Sequence, residues 1–359
     1  MSKKYTALGL MSGTSGDGVD ASIVQSDGKT KYRLILDKFF KYDENIFKNI
    51  HSLKSKISKS KDLKILKKEL IDLEKKITLF HAKAVESLNY KSIDFLGFHG
   101  QTIYHNSKEK ISKQLGDAKL LSQLTKKSII YKFRENDLKN NGEGAPLAPI
   151  FHKLLVNKNK IKLPVVILNI GGIANITSID NDNKVFSTDI GPGNCLIDAW
   201  LRLNSKKNFD KDGEIARSGK INTIILNQAI ENFNLDNLEL NKSFDINDFD
   251  LAFVRGLSLE DGAATLTEFT AQICSKRIKN NNVYVCGGGR KNKFLLESIK
   301  EKINGNIKLI DELSINGDFI ESQAFGYLAI RSYLGLPISY PETTGVKKPC
   351  SGGILIRAK

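Results

Sequence analysis

Leu8-Gly9-Leu10-Met11-Ser12-Gly13-Thr14-Ser15-Gly16-Asp17-Gly18-Val19-Asp20-Ala21-Ser22-Ile23-Val24 reads as an apolar strand, a turn of small and hydroxyl-bearing residues, and a second strand. The same design returns later as Val166-Ile167-Leu168-Asn169-Ile170-Gly171-Gly172-Ile173-Ala174-Asn175-Ile176-Thr177. A turn with little side-chain bulk exposes its backbone N–H groups, which suits a phosphate oxygen. Two such turns in a chain of 359 residues predict two related domains closing on a nucleotide. Two ordinary hairpins are the alternative.

The composition is that of a globular chain, 40% hydrophobic and 26% charged. No apolar run approaches the roughly 18 residues of a membrane span. The basic start Met1-Ser2-Lys3-Lys4 leads into a run soon broken by Gly13, Gly16 and Asp17, unlike a signal peptide. A cytoplasmic protein with no membrane partner is expected. Cys195, Cys274, Cys286 and Cys350 lack metal or disulfide spacing. The net charge of +15 raises nucleic-acid binding. Yet the lysines are densest at Lys54 to Lys76, where the Leu/Ile spacing is helical and no aromatic residue interleaves to stack bases. No nucleic-acid partner is expected.

Strand-like runs alternate with helical patterns, the mark of an α/β chain. Strands are expected at Tyr32 to Phe39, Ile93 to Thr102 (ending in a polar loop) and Ser128 to Phe133. Helices are expected at Lys61 to Leu88, Ala118 to Leu124, Ser258 to Ile278 and Gln323 to Leu334. Asp212 to Gly219 reads as a loop, and the tail after Pro337 as mostly extended. The stretch Asn140-Asn141-Gly142-Glu143-Gly144-Ala145-Pro146 breaks the pattern and marks a domain crossing. Domain I is therefore placed at 1–135 plus 341–359, and domain II at 136–340.

Two tempting motifs fail. Gly28-Lys29-Thr30 would end a P-loop, but the position of its first glycine is Ile23. Gly287-Gly288-Gly289 runs into Arg290, Lys291 and Asn292 without completing a dinucleotide fingerprint. Gly13 to Gly18 can wrap a phosphate, with Asp17 and Asp20 orienting Mg²⁺ through water, or can form a turn with local Asp hydrogen bonds. Asp189, after a strand and before Gly191-Pro192-Gly193, suits a general base or a cap. Gly287 to Gly289 admits a base or ribose, or simply turns the chain. Glu321 opens a helix as cap or ligand, and Arg134 pairs either an anionic ligand or a surface acid.

Taken together these segments closely resemble the anhydro-N-acetylmuramic acid kinase family over nearly the whole chain. Phe98-His99-Gly100-Gln101-Thr102, Gly142-Glu143-Gly144-Ala145-Pro146-Leu147, Asp189-Ile190-Gly191-Pro192-Gly193-Asn194 and Glu321-Ser322-Gln323-Ala324-Phe325 add to the two hairpins and the triple glycine. The resemblance implies the two-domain actin-like fold of the sugar kinase, Hsp70 and actin superfamily. Each domain would be ribonuclease H-like, on a mixed five-stranded sheet flanked by helices, with an interdomain cleft. It implies ATP and Mg²⁺, an amino sugar substrate, and a role in peptidoglycan recycling; a homodimer is compatible with it. In the implied reaction water opens the 1,6-anhydro ring of 1,6-anhydro-N-acetylmuramic acid while O6 is phosphorylated.

The resemblance assigns Asp189 as the catalytic residue. It assigns ATP to Ser12, Gly13, Thr14, Ser15, Gly16, Asp17, Gly18 and Val19, with Gly171, Gly172, Gly287, Gly288 and Gly289. It assigns the sugar to Glu321, Arg134 and His99, and the metal to Asp17 through water. Four positions depart from the family pattern. Gly16 replaces a usual leucine, which is expected to loosen its loop. Lys132 replaces an aspartate, Glu143 a glutamine and Ile190 a threonine. The competing expectations are another sugar or acetate-type kinase of the superfamily, or a non-catalytic ATP-dependent binding module.

Overall fold

A computed structural model of the protein describes residues 3–233, 243–279, 282–303 and 305–358. Following the chain, the first stretch contains β1 (Tyr5–Ser12), β2 (Gly18–Ser26), β3 (Tyr32–Lys41), α1 (Glu44–Lys56), α2 (Ser60–Ile65) and α3 (Lys67–Ser87). It goes on to β4 (Phe95–Asn106), β5 (Ile111–Leu115), α4 (Ala118–Thr125), β6 (Ser128–Tyr131), α5 (Glu135–Lys139) and α6 (Pro149–Lys158). A second stretch holds β7 (Val165–Ile170), β8 (Ile173–Ile179), β9 (Val185–Pro192), α7 (Cys195–Asn204), α8 (Glu214–Ser218), α9 (Thr223–Phe233) and α10 (Leu259–Arg277). It is completed by β10 (Asn282–Cys286), α11 (Lys293–Lys302) and β11 (Asn306–Leu309). The chain ends with α12 (Ile320–Tyr333), α13 (Pro341–Thr344) and β12 (Ile354–Ile356).

Two compact units result: Met1–Asn159 with Phe319–Lys359, and Lys160–Asp318. The expected boundaries at 135/136 and 340/341 are displaced in both places. The stretch 140–146 does not leave the first unit, because the buried Asp137 accepts the Gly144 N–H at 2.6 Å and the Thr344 hydroxyl at 2.5 Å. α12 belongs there too, because it packs against the backbone of β1 and β4. A Cβ on Gly9 would collide with the Ser322 carbonyl, and one on Gly97 with the Phe325 carbonyl. Only glycine permits that approach. α12 is buried on nearly every side, so it shows little amphipathic period.

The first unit's sheet has seven strands in the order β12-β6-β4-β1-β2-β3, with β5 paired to β4. The two strands beyond the expected five have simple causes. β4 runs on past Gly100 to Asn106, so the expected polar loop is strand, and β5 pairs with that extension. The tail supplies β12, antiparallel to β6. The β1–β2 hairpin is in register from Tyr5↔Ser26 to Met11↔Asp20. The long helix expected from Lys61 is α2 and α3, separated at Leu66 (φ −89°, ψ 18°). α1, which meets the lysine-dense run only at its C-terminal end, is an addition to the expected elements; Asp43 caps it by accepting the Ile46 N–H at 2.8 Å, and Ile46, Ile50 and Leu53 face the core.

The second unit has the expected five strands in the order β11-β10-β7-β8-β9. β10 is parallel to β7, and β7–β8–β9 is an antiparallel meander. Ser258 caps α10 by accepting the Asp261 N–H at 3.1 Å. The expected loop at 212–219 contains the short helix α8, whose Ile215 and Ala216 N–H groups donate to Asp210. All four cysteines are free thiols. Among the described residues no helix is long and apolar enough to cross a membrane.

The first core encloses His81, sandwiched near Tyr42 and Phe98, with Nδ1 donating to the Ile77 carbonyl at 2.8 Å. Burial pushes its pKa down to about 4. The unfolded chain, with histidine near 6.5, therefore binds more protons between these values, and stability falls as pH drops from 6.5 towards 4. His81→Leu removes that contribution. Urea titrations should show a shallower loss between pH 6.5 and 4.5 in the variant, by on the order of 1–3 kcal/mol. Parallel slopes would contradict a neutral buried His81.

Candidate active site

In the first unit the turn after β1 is a closed one: the Gly16 N–H donates to the Gly13 carbonyl at 3.1 Å. The Ser12 hydroxyl donates to the Gly18 carbonyl at 2.7 Å and accepts from Tyr42 at 2.6 Å. Ser12, Gly16, Gly18 and Val19 are buried, Gly13 and Thr14 half-buried, and Ser15 and Asp17 exposed. The turn residues open to solvent are thus Gly13, Thr14, Ser15 and Asp17. Gly18 serves the fold, because a Cβ there would meet the Phe40 carbonyl and the Phe39 ring. The Asp17 carboxylate accepts the Ser15 hydroxyl at 2.6 Å.

The same unit brings His99 and Arg134 together. His99 Nδ1 donates to the Gly100 carbonyl at 2.8 Å, leaving Nε2 as an acceptor. Arg134 donates to that Nε2 from Nε at 3.2 Å and from Nη2 at 3.1 Å, and from Nη1 to the Gly144 carbonyl at 2.9 Å. Burial, and then the Arg134 charge, hold the His99 pKa well below its usual value. His99 is therefore a neutral acceptor that orients the guanidinium. Gly144 is fixed in turn by Asp137, a link that sequence spacing does not reveal. Glu321 lies in the first turn of α12, one turn before Phe325, whose ring sits 4.5 Å from His99. A four-residue spacing places Glu321 and Phe325 on one helix face. Lys132 is drawn to Glu135 at 2.7 Å, and Ile190 is a core residue.

In the second unit the glycine turns converge. The Gly193 N–H donates to the Gly172 carbonyl at 2.9 Å, and the Asn194 N–H to the Gly171 carbonyl at 2.8 Å. Gly287 follows β10 with φ +80°, and its N–H donates to the Gly317 carbonyl at 3.1 Å. Cβ atoms on Gly287 and Gly289 would strike Asn169 and Ile170 of β7. The Gly171–Gly172, Gly193 and Gly287–Gly289 turns therefore share one end of the sheet, at the carboxyl ends of the parallel strands β7 and β10, where α/β sheets bind ligands.

Asp189 is not in a turn. It sits within β9 opposite Asn175, beside a register shift between Ala174 and Asn175. Its Oδ2 accepts the Phe244 N–H at 2.9 Å and the Ser243 hydroxyl at 3.3 Å. Phe244 is anchored against Phe233 and Phe249 at 6.1 and 5.3 Å between ring centroids. This contact was invisible in the sequence, since a backbone N–H is common to nearly every residue and the partner lies 55 positions away.

Arg290 was also missed as more than a flanking residue. It is buried beneath the glycine turn and donates to Asp311 from Nε at 2.7 Å and Nη2 at 3.0 Å. It also donates to Asp318 at 2.6 Å, the Gly287 carbonyl at 3.1 Å and Asn316 at 3.3 Å. A cavity of about 540 Å³ opens beside it, lined by Lys293, Leu296 and Ile307 among others, and includes none of the expected site residues.

The family model for anhydro-N-acetylmuramic acid kinase matches residues 5–358. The chain belongs to the anhydro-N-acetylmuramic acid kinase family. The enzyme of that name from Pelagibacter ubique (strain HTCC1062) is 53% identical over 375 aligned positions, covering 99% of this chain and all of the relative. The one from Agrobacterium fabrum (strain C58) is 35% identical and covers both chains completely. The one from Gluconobacter oxydans (strain 621H) is 37% identical, covering 97% of this chain and 98% of the relative. The two mixed sheets flanked by helices fit the superfamily fold expected for this family.

Proposed function

We propose that this protein uses ATP and water to convert 1,6-anhydro-N-acetylmuramic acid to N-acetylmuramic acid 6-phosphate, the reaction for which its family is named. The observation that carries the mechanism is Asp189, half-buried in β9 with one oxygen held by the Phe244 N–H. In this reading Asp189 takes a proton from water as the water oxygen bonds to the anomeric carbon. The bond from that carbon to the bridge oxygen breaks. The freed oxygen, on C6, attacks the γ-phosphorus, and ADP leaves with the electron pair of the broken P–O bond.

Most of the remaining work is positioning. Within the first unit Gly13 to Asp17 would receive phosphate, and Glu321 and Arg134 the sugar, with His99 aiming Arg134. Mg²⁺ belongs to this reading. Among the described residues no group of three metal-ligating side chains exists. That suits an ion held by one or two carboxylates, waters and substrate phosphates better than a protein cage. Asp17, exposed at the loop, would hold it through water. When bound, the ion offsets phosphate charge.

The test is ATP consumption with the anhydro sugar against free N-acetylmuramic acid, in ¹⁸O-labelled water. Turnover should require the anhydro sugar, and the label should appear at the anomeric position. Transfer to the free sugar without incorporation would indicate a simple sugar kinase, and ATP turnover indifferent to sugar a binding module.

A further inference from the structure

Three consecutive carbonyls of the first hairpin's turn are gripped by side chains from outside it. Gln101 Nε2, on β4, donates to the Gly13 carbonyl at 2.9 Å. Lys54 Nζ, on α1, donates to the Thr14 carbonyl at 2.8 Å. His51 Nε2, one turn earlier on the same face of α1, lies 2.9 Å from the Ser15 carbonyl, which can only accept, so that nitrogen carries the proton. In a planar trans peptide the C=O and the following N–H point in opposite directions. Drawing back the Gly13 and Thr14 carbonyls therefore turns the Thr14 and Ser15 N–H groups the other way. The third N–H, of Gly16, closes the turn onto Gly13.

An anion is repelled by carbonyl oxygens and attracted by N–H groups. We infer that Lys54 and Gln101 are positioning residues that orient the Thr14 and Ser15 N–H groups to receive the phosphates of a nucleotide, with His51 holding the peptide whose Gly16 N–H closes the turn. Lys54 also brings a positive charge to the loop. α1 completes the support, because Ile50 lies directly beneath Gly16; a Cβ there would come within 2.9 Å of its Cγ2. Gly16 itself has φ +62°, a conformation glycine adopts without strain. The loop that glycine was expected to loosen is thus held from outside by one face of α1 and by Gln101 of β4. α1 was absent from the sequence reading, and so were these contacts.

This inference rests on Gly13–Gly16 being the phosphate loop, and the experiment separates the two. Calorimetric titrations with ATP and AMP would be run on Lys54→Met, Lys54→Arg, His51→Phe and Gly13→Val. Phe at position 51 keeps the ring contact with Phe47, now 4.3 Å. Val at position 13 meets little protein, since its Cβ has only Ser15 Oγ nearby at 3.7 Å. Lys54→Met should weaken ATP about 10- to 100-fold, the range of a charged hydrogen bond. AMP affinity and KM for the sugar should stay within about twofold, and Lys54→Arg should recover most of the loss. His51→Phe should show the same selectivity with a smaller effect. Unchanged ATP affinity in Lys54→Met and His51→Phe, or equal losses for ATP and AMP, would overturn the inference if Gly13→Val still weakens ATP. Unchanged ATP affinity in Gly13→Val would overturn the phosphate-loop reading itself.

Discussion

Asp189→Asn should fold normally and turn over about 10²–10⁴-fold more slowly, the usual share of general base catalysis. The amide oxygen can still accept the Phe244 N–H, so the side chain keeps its place in β9 while losing its basicity. Binding of ATP and of the anhydro sugar should persist. The measurement is kcat and KM for each substrate, with binding followed by calorimetry. A loss confined to KM would mean that Asp189 holds substrate rather than activating water, and Glu321→Gln would then be the variant to make. Full activity in Asp189→Asn would remove the proposed mechanism.

Arg290→Met should carry the largest stability effect among the site's supporting residues. Removing one partner of a buried ion pair costs about 3–5 kcal/mol, because the remaining charge is stranded. The low end applies here, since Asp311 and Asp318 keep 38% and 30% of their side chains exposed while Arg290 keeps 6%. Five guanidinium hydrogen bonds would be lost at once, and Asp318 Oδ1 and the Gly287 carbonyl are among the acceptors. A midpoint shift in denaturant corresponding to about 3 kcal/mol is expected, together with weaker ATP binding through a loosened Gly287–Gly289 turn. Wild-type stability would show that water replaces the guanidinium without loss. Lys at position 290 should rescue poorly, because one ammonium cannot reproduce the planar fork to two carboxylates.

The two hairpins were legible because each is a local object. Short apolar runs set strands β1, β2, β7 and β8, and glycine-rich turns separate them. α10 was legible for the same reason, with a serine cap and an uninterrupted run. α1 was not, because the lysines at its C-terminal end merge in sequence with those of α2 and α3. The boundary at 135/136 was misplaced because Gly142–Pro146 has linker composition, and only the buried Asp137 reveals that it is tied into the first unit.

By itself the sequence determined the family and the class of fold, since these depend on residue types in order along the chain; it also singled out Asp189, Arg134 and the glycine turns as the candidates. The tertiary structure decided what each of them touches. It placed Asp189 inside a strand under the Phe244 N–H, made His99 a support for Arg134, and set Gly18 against the Phe40 carbonyl and the Phe39 ring. It also assigned the loop carbonyls to Gln101, Lys54 and His51. The physical reason is that a backbone hydrogen bond or a close glycine contact depends on peptide orientation and separation in space. Neither leaves a residue-type signature at the distant partner.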